Sequence, residues 1–361
     1  MTSSTAVITQ TTPLSESPIS PNSFRSLSNW LFLTAGFVMI MVILGGLTRL
    51  TGSGLSMVDW RPVTGFLPPL NEAQWQSVFD LYKVSPQYHK VNFGMSLSEF
   101  KGIFWLEFIH RLGGRFIGVL FLAPLLYSLL KKDLRSWSFK ILGIWILGGL
   151  QGVMGWYMVK SGLVDEPWVS PFRLCAHLLL AFLTCSLLFW SGLVLRSQYQ
   201  QKNTLKPQFF QSLKSPKALA TLILVVLTIC YGAFVAGMKA GLIYNTFPLM
   251  GETFIPSEIL FHTPWYENFF MNPVTVQFIH RVLAMLTLGA VWWHGIGTLK
   301  TTSSDLEKKW IVSLLGWSLV QVILGISTLV LQVPYDLAVA HQAGALILLM
   351  LFLGTLYHKA T

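Results

Sequence analysis

Residues 105–118 read W-L-E-F-I-H-R-L-G-G-R-F-I-G. The stretch opens a long apolar run yet carries Glu107, His110, Arg111 and Arg115. Glu107 and His110 are three residues apart, so on a helix they share a face, one turn from each other. Ionisable groups inside a membrane helix are costly and mark function by default. The motif has an echo: Gln277-Phe278-Ile279-His280-Arg281 repeats Glu107-Phe108-Ile109-His110-Arg111 with Glu changed to Gln.

The setting is a membrane. The chain has 361 residues, 53% hydrophobic and only 11% charged, against about 25% charged in a soluble domain. The net charge of +10 does not suggest nucleic acid, because the basic residues sit mostly in loops between apolar runs, where they report topology. Eight runs are long enough to span a bilayer, which needs about 20 apolar residues. They lie near 29–48, 103–130, 138–159, 172–195, 217–237, 273–298, 309–331 and 336–357. Lys131, Lys132, Arg135, Arg196, Lys202, Lys206, Lys214, Lys300, Lys308 and Lys309 fall in the second, fourth and sixth connections. The long first and fifth connections, 49–102 and 238–272, are mixed or acidic. Positive-inside then places both termini in the cytoplasm and the long loops outside, as compact caps on the membrane surface. Residues 1–28 lack a secretory core and carry Glu16 and only Arg25. They are expected to be a disordered cytoplasmic tail of a bacterial inner (plasma) membrane protein.

The chain reads as a tandem repeat. His110 to His280, Gln151 to Gln321 and Gly155 to Gly325 all keep an offset of 170. Four spans per repeat preserve orientation, so the halves should be related by an axis along the membrane normal. The expected fold is an all-α integral membrane protein of eight transmembrane helices, built as two tandem four-helix bundles with a pseudo-two-fold. The expected domains are 29–196, a linker at 197–216, and 217–361.

His110, His177, His280 and His341 each lie five to eight residues inside an even-numbered span, on the outer side. At about 1.5 Å per residue they sit roughly 10 Å below that surface. One pair per half at one depth is what bis-histidine haem ligation requires. A lone His could merely hydrogen-bond a neighbouring helix, but two repeated pairs argue against that. A zinc or copper site usually recruits three or four N/S ligands together, which two-by-two spacing does not supply. Arg111, Arg281, Arg49 and Arg115 are outward-lying arginines suited to haem propionates, since guanidinium binds carboxylate bidentately; Arg61 and Arg173 also face outward. Glu107 beside one pair, where the other has Gln277, suggests proton handling in one half only. His294 and His358 are read as inner-surface residues; His89 and His262 fall in outer loops. Cys175, Cys185 and Cys230 lie in apolar runs and read as small buried residues.

At these residues the chain resembles the haem A synthase family, in its mitochondrial and alphaproteobacterial branch. The resemblance runs from about Trp30 to the C-terminus. It rests on G-G-L-T-R-L-T-G-S-G-L-S from Gly45, D-W-R-P-V-T-G from Asp59, E-F-K-G-I-F-W-L-E-F-I-H-R from Glu99, S-G-L-V-D-E-P-W-V-S-P-F-R-L-C-A-H from Ser161 and G-L-I-Y-N-T-F-P-L-M from Gly241. The other branch carries cysteine pairs in its outer loops, which are absent here. The resemblance implies an oxidoreductase that converts a ring methyl of haem O to the formyl group of haem A by two hydroxylations, for cytochrome oxidase biogenesis. It implies that His110 and His177 hold the substrate haem, that His280 and His341 hold haem b, and that Glu107 acts beside the methyl. Its implied partners are a haem O synthase and a ferredoxin-like or quinol electron donor, in membrane lipid, with a homo-oligomer as an option. The competing reading is a di-haem membrane cytochrome b exchanging electrons with quinone.

Overall fold

The computed structural model describes residues 21–60, 64–163, 167–200 and 209–360. Among these, eight helices are long and apolar enough to cross a membrane. They are α1 (Pro21–Leu50), α2 (Leu97–Leu130), α3 (Arg135–Gly162), α4 (Pro171–Tyr199), α5 (Pro216–Gly237), α6 (Pro273–Leu299), α7 (Asp305–Val330) and α8 (Tyr335–Ala360). Each of the eight expected runs is one of these helices. The protein is therefore an all-α, multi-pass membrane protein.

The helix starts have local causes. Ser96 and Glu99 form a capping box that opens α2: the Glu99 carboxylate accepts from Ser96 N at 2.8 Å, and Glu99 N donates to Ser96 Oγ. Asn272 caps α6 through Val274 N and Thr275 N, with Pro273 at the first helical position. Both devices satisfy amide donors that a helix start leaves open. Inside α2, Pro124 can make no bond to the carbonyl of Leu120. The Trp30 indole of α1 donates to that carbonyl instead, at 3.0 Å. A membrane interior demands such a substitute for a lost backbone bond.

One expectation is corrected at the N-terminus. The tail was expected to reach residue 28, but α1 begins at Pro21. Leu27 and Ser28 are fully buried, and Ser28 Oγ donates to Gly192 O of α4. Ser23 bonds Asp133 in the α2–α3 connection. The polar residues Asn22, Ser23, Ser26, Ser28 and Asn29 hide an apolar seam of Phe24, Leu27 and Leu31. Residues 1–20 of that tail, and 201–208 of the linker expected at 197–216, lie outside the described residues. The linker's flanks are helical: residues 197–199 finish α4, and Phe209–Ser212 form a short helix packed on α8.

Helix α1 packs on α2 and α4, and α3 joins α2 to α4, so the first four helices close into a ring. In the second four, α5–α6, α6–α7 and α7–α8 pack in sequence, but α5 and α8 barely meet. The two sets join where α1 and α4 meet α8 and where α4 meets α5. The first long connection carries the helices Glu72–Lys83 and Pro86–Lys90. It closes over α2 with an aromatic cluster of Trp75, Phe79, Tyr82, Phe100, Phe104 and Phe108.

Candidate functional site

Each of the four expected histidines rests against a glycine of a neighbouring helix. His110 of α2 lies on Gly45 of α1, and His177 of α4 on Gly155 of α3. His280 of α6 lies on Gly232 of α5, and His341 of α8 on Gly325 of α7. A Cβ at these glycines would come within 3.3, 3.3, 3.1 and 2.8 Å of the respective rings. Real Cβ contacts are seldom that short, so the absent side chain is what lets each imidazole settle between two helices. Gly325→Val should therefore act as overpacking and cost about 1–3 kcal/mol, read as a lower thermal midpoint in detergent. Gly36→Ala on α1, where a Cβ meets nothing within 4 Å, should leave the midpoint unchanged.

The histidines of α4 and α8 share a second support. Gln151 Nε2 donates to His177 O at 3.0 Å and lies 3.3 Å from its Nε2. Gln321 Nε2 donates to His341 O at 2.9 Å and lies 3.2 Å from its Nδ1. His280 Nδ1 lies 3.1 Å from Thr228 O of α5. The His280 and His341 rings face each other with centroids 6.4 Å apart and planes at 87°.

That spacing suits a metal between them. Metal–imidazole bonds of about 2 Å, with the distance from nitrogen to ring centre added on both sides, make a separation of about 6 Å. His177 Nδ1 is buried without a hydrogen-bond partner, as a donor set awaiting a ligand would be. No group of three or more His, Cys, Asp or Glu side chains suited to a metal ion occurs among the described residues. The one imidazole pair in ring contact among these four histidines is His280 and His341.

An arginine latch joins the helix of His110 and the helix of His280 each to its long connection, and the two latches share a pair of matched carbonyl acceptors. Arg111 donates from Nη2 to Met57 O at 2.9 Å and from Nη1 to Asp59 O at 3.2 Å. Arg281 donates from Nη2 to Tyr244 O at 2.9 Å and from Nη1 to Thr246 O at 2.8 Å. Hydrogen bonds from a charged group contribute roughly 1.5–3 kcal/mol each, so these contacts hold the caps down. Arg281 Nη1 also donates to Leu249 O at 3.2 Å, and the residue beside each arginine differs. Gln277 Nε2 donates to Ala240 O at 3.0 Å and Tyr244 O at 3.1 Å. Glu107 offers no such amide. Its Oε1 accepts from Arg111 Nε at 2.6 Å, while Oε2 lies 3.9 Å from His110 Nδ1. Only 4% of the Glu107 side chain is exposed, so a carboxylate sits buried beside one imidazole pair and an amide beside the other.

The other expected site residues fall as follows. Arg49 lies in the last turn of α1, and Arg115 follows Arg111 by one turn on α2. Arg173 lies over the Tyr157 ring at 4.4 Å. Arg61 lies outside the described residues. His294 is a correction: instead of reaching the inner surface it is 1% exposed, its ring against Phe352 of α8 at 5.3 Å. Its place at the α6–α8 contact, with the small Gly295 beside it receiving Leu315, buries it. His358 packs on Trp310. The roles of Gly45 and Gly232 were missed; their shared offset with Gly54 and Gly241 was the available signal.

A family model described as cytochrome oxidase assembly protein matches residues 28–353. The haem A synthase of Nitrosospira multiformis is 47% identical over 329 residues, covering 90% of this chain and 90% of the relative. That of Paramagnetospirillum magneticum is 44% identical over 94% of this chain and 96% of the relative. The haem A synthase COX15 of Arabidopsis thaliana is 44% identical over 92% of this chain and 74% of the relative.

Proposed function

The chain belongs to the cytochrome oxidase assembly protein family that includes these haem A synthases, and from that footing we propose that it oxidises haem O to haem A for cytochrome oxidase. The substrate's ring methyl is taken to a formyl group by two successive hydroxylations. His110 and His177 hold the substrate haem, and His280 and His341 hold a resident haem b. When bound, that second haem supplies single electrons. The observation that carries the assignment of roles is Glu107 standing where the matching latch has Gln277. Arg111 fixes one Glu107 oxygen and leaves the other toward His110, where it can take up or return a proton as the methyl is oxidised. Arg111, Arg281, Arg49 and Arg115 are the arginines we assign to propionates, because guanidinium binds carboxylate bidentately. Co-expression with a haem O synthase, followed by chromatography and mass analysis of extracted pigments, tests the activity. Haem A is the expected product; haem O alone would refute it.

The two sets of four helices stand as tandem bundles about a pseudo-two-fold along the membrane normal, a reading that the matched latches and glycine seats support. The protein lies in the bacterial inner membrane with both termini cytoplasmic and the imidazole pairs near the periplasmic face. A ferredoxin-like or quinol donor supplies electrons, and a haem O synthase supplies substrate. Tags at both termini should be protected outside the cell, and a tag inserted between Glu252 and Asn268 should be accessible there. Labelling of the termini on opposite sides would overturn the topology.

A further inference from the structure

Gln342 follows His341 on α8 and reaches out of its own half. Its Nε2 donates to Val42 O of α1 at 2.7 Å. The side chain fits a notch at Gly46, where a Cβ would lie 3.2 Å from Nε2 and 3.3 Å from Oε1. In an α-helix the Val42 carbonyl is also the acceptor for the Gly46 amide. The preceding residue, Gly45, seats His110. Two adjacent glycines of α1 thus receive His110 from one half and Gln342 from the other. The repeat does not demand this contact. The residue after His177 is Leu178, and the residue after Gly232 is Ala233, so at the matching place the donor and the notch are both gone.

We propose that Gln342 is a positioning residue that couples the two imidazole pairs. It bonds α8 to the α1 backbone at Val42 O, beside the Gly46 notch and one turn from the Gly45 seat, and so joins the helix of His341 to the helix that His110 packs against by one hydrogen bond between the halves. With haem held on both imidazole pairs, this contact would lie on the path of an electron given up by the haem on His280 and His341 and taken by the haem on His110 and His177. The inference rests on the reading above that both pairs hold haem.

The test uses full-length protein carrying haem in both halves, the first-half haem bearing the formyl group so that the two absorb differently. Laser-flash photoreduction by a flavin injects one electron, and absorbance follows its redistribution between the haems. Gln342→Leu, Gln342→Met and Gly46→Ala should each slow redistribution several-fold, while both haems stay low-spin at parental occupancy. Combining Gln342→Met with Gly46→Ala should slow it no further, because both changes break one contact. Met keeps the length and fills the notch but has no N–H. A parental rate in Gln342→Met would therefore reduce Gln342 to packing and overturn the proposal. Loss of the second-half haem in Gln342→Leu would also overturn it, since Gln342 would then serve His341 alone. If the parental protein held no low-spin haem in one of its halves, the parent reading would fail instead, before any variant was compared.

Discussion

Glu107→Gln should stop haem A formation while the protein still inserts and keeps haem on His280 and His341. Removing one member of a buried ion pair ordinarily costs about 3–5 kcal/mol, and the Arg111 and Glu107 side chains are only 7% and 4% exposed. Here the protein contains its own control. Arg281 stands beside Gln277, with Gln277 Oε1 3.4 Å from Nη2 and the same two loop carbonyls bonded. An arginine paired with glutamine is therefore compatible with a closed cap, and Glu107→Gln recreates that arrangement in the first half. What the variant loses is the group that can exchange a proton beside His110. General acid–base groups contribute about 10²–10⁴-fold in rate, so pigment extracts should hold haem O or a partly oxidised alcohol in place of haem A. Gln277→Glu should leave haem A formation nearly unchanged. Haem A at the parental rate from Glu107→Gln would make Glu107 a structural partner of Arg111 and leave a di-haem electron carrier as the better reading.

His280→Ala and His341→Ala should each abolish the low-spin signal of the second-half haem. The two rings face each other across 6.4 Å, and neither loss can be made good by a neighbour, because Thr228 and Gln321 offer only oxygen or amide groups. An iron left with one imidazole changes spin state or loses its haem. His294→Leu is the matched control. Its ring packs on Phe352, well inward of His280 on α6, so the signal should persist. An unchanged optical spectrum in both alanine variants would remove the bis-histidine assignment altogether.

Much of this architecture is legible in the residues. Long apolar runs mark every span, because a membrane helix must satisfy its backbone internally, and Pro or capping residues such as Ser96 and Asn272 mark the start of several. The histidines and the Glu107/Gln277 difference stand out because polar residues are rare in such runs. What escaped notice depends on other helices. The start of α1 is masked by serines that bury against α4, as Ser28 does on Gly192. The glycine seats could not be told from other glycines, since a seat is defined by the ring that enters it. The latches were invisible for a further reason: their acceptors are the backbone carbonyls of Met57, Asp59, Tyr244 and Thr246, and a carbonyl has no letter of its own. His294 and Gln342 mislead or stay silent in the same way, each explained by a partner on α8 or α1.

The matched latches also bear on how such a protein can change over generations. Glutamate and glutamine codons differ only in their first base. The arginine, two of the carbonyls it bonds and the glycine under each histidine have counterparts in both halves, so on the proposed reading the Glu107/Gln277 difference lies within reach of a point mutation in either direction. A glutamine half can be tried as a reactive one without rebuilding its cap. On the proposed reading, a first half that lost its glutamate would keep its fold and could be restored by a single reversion.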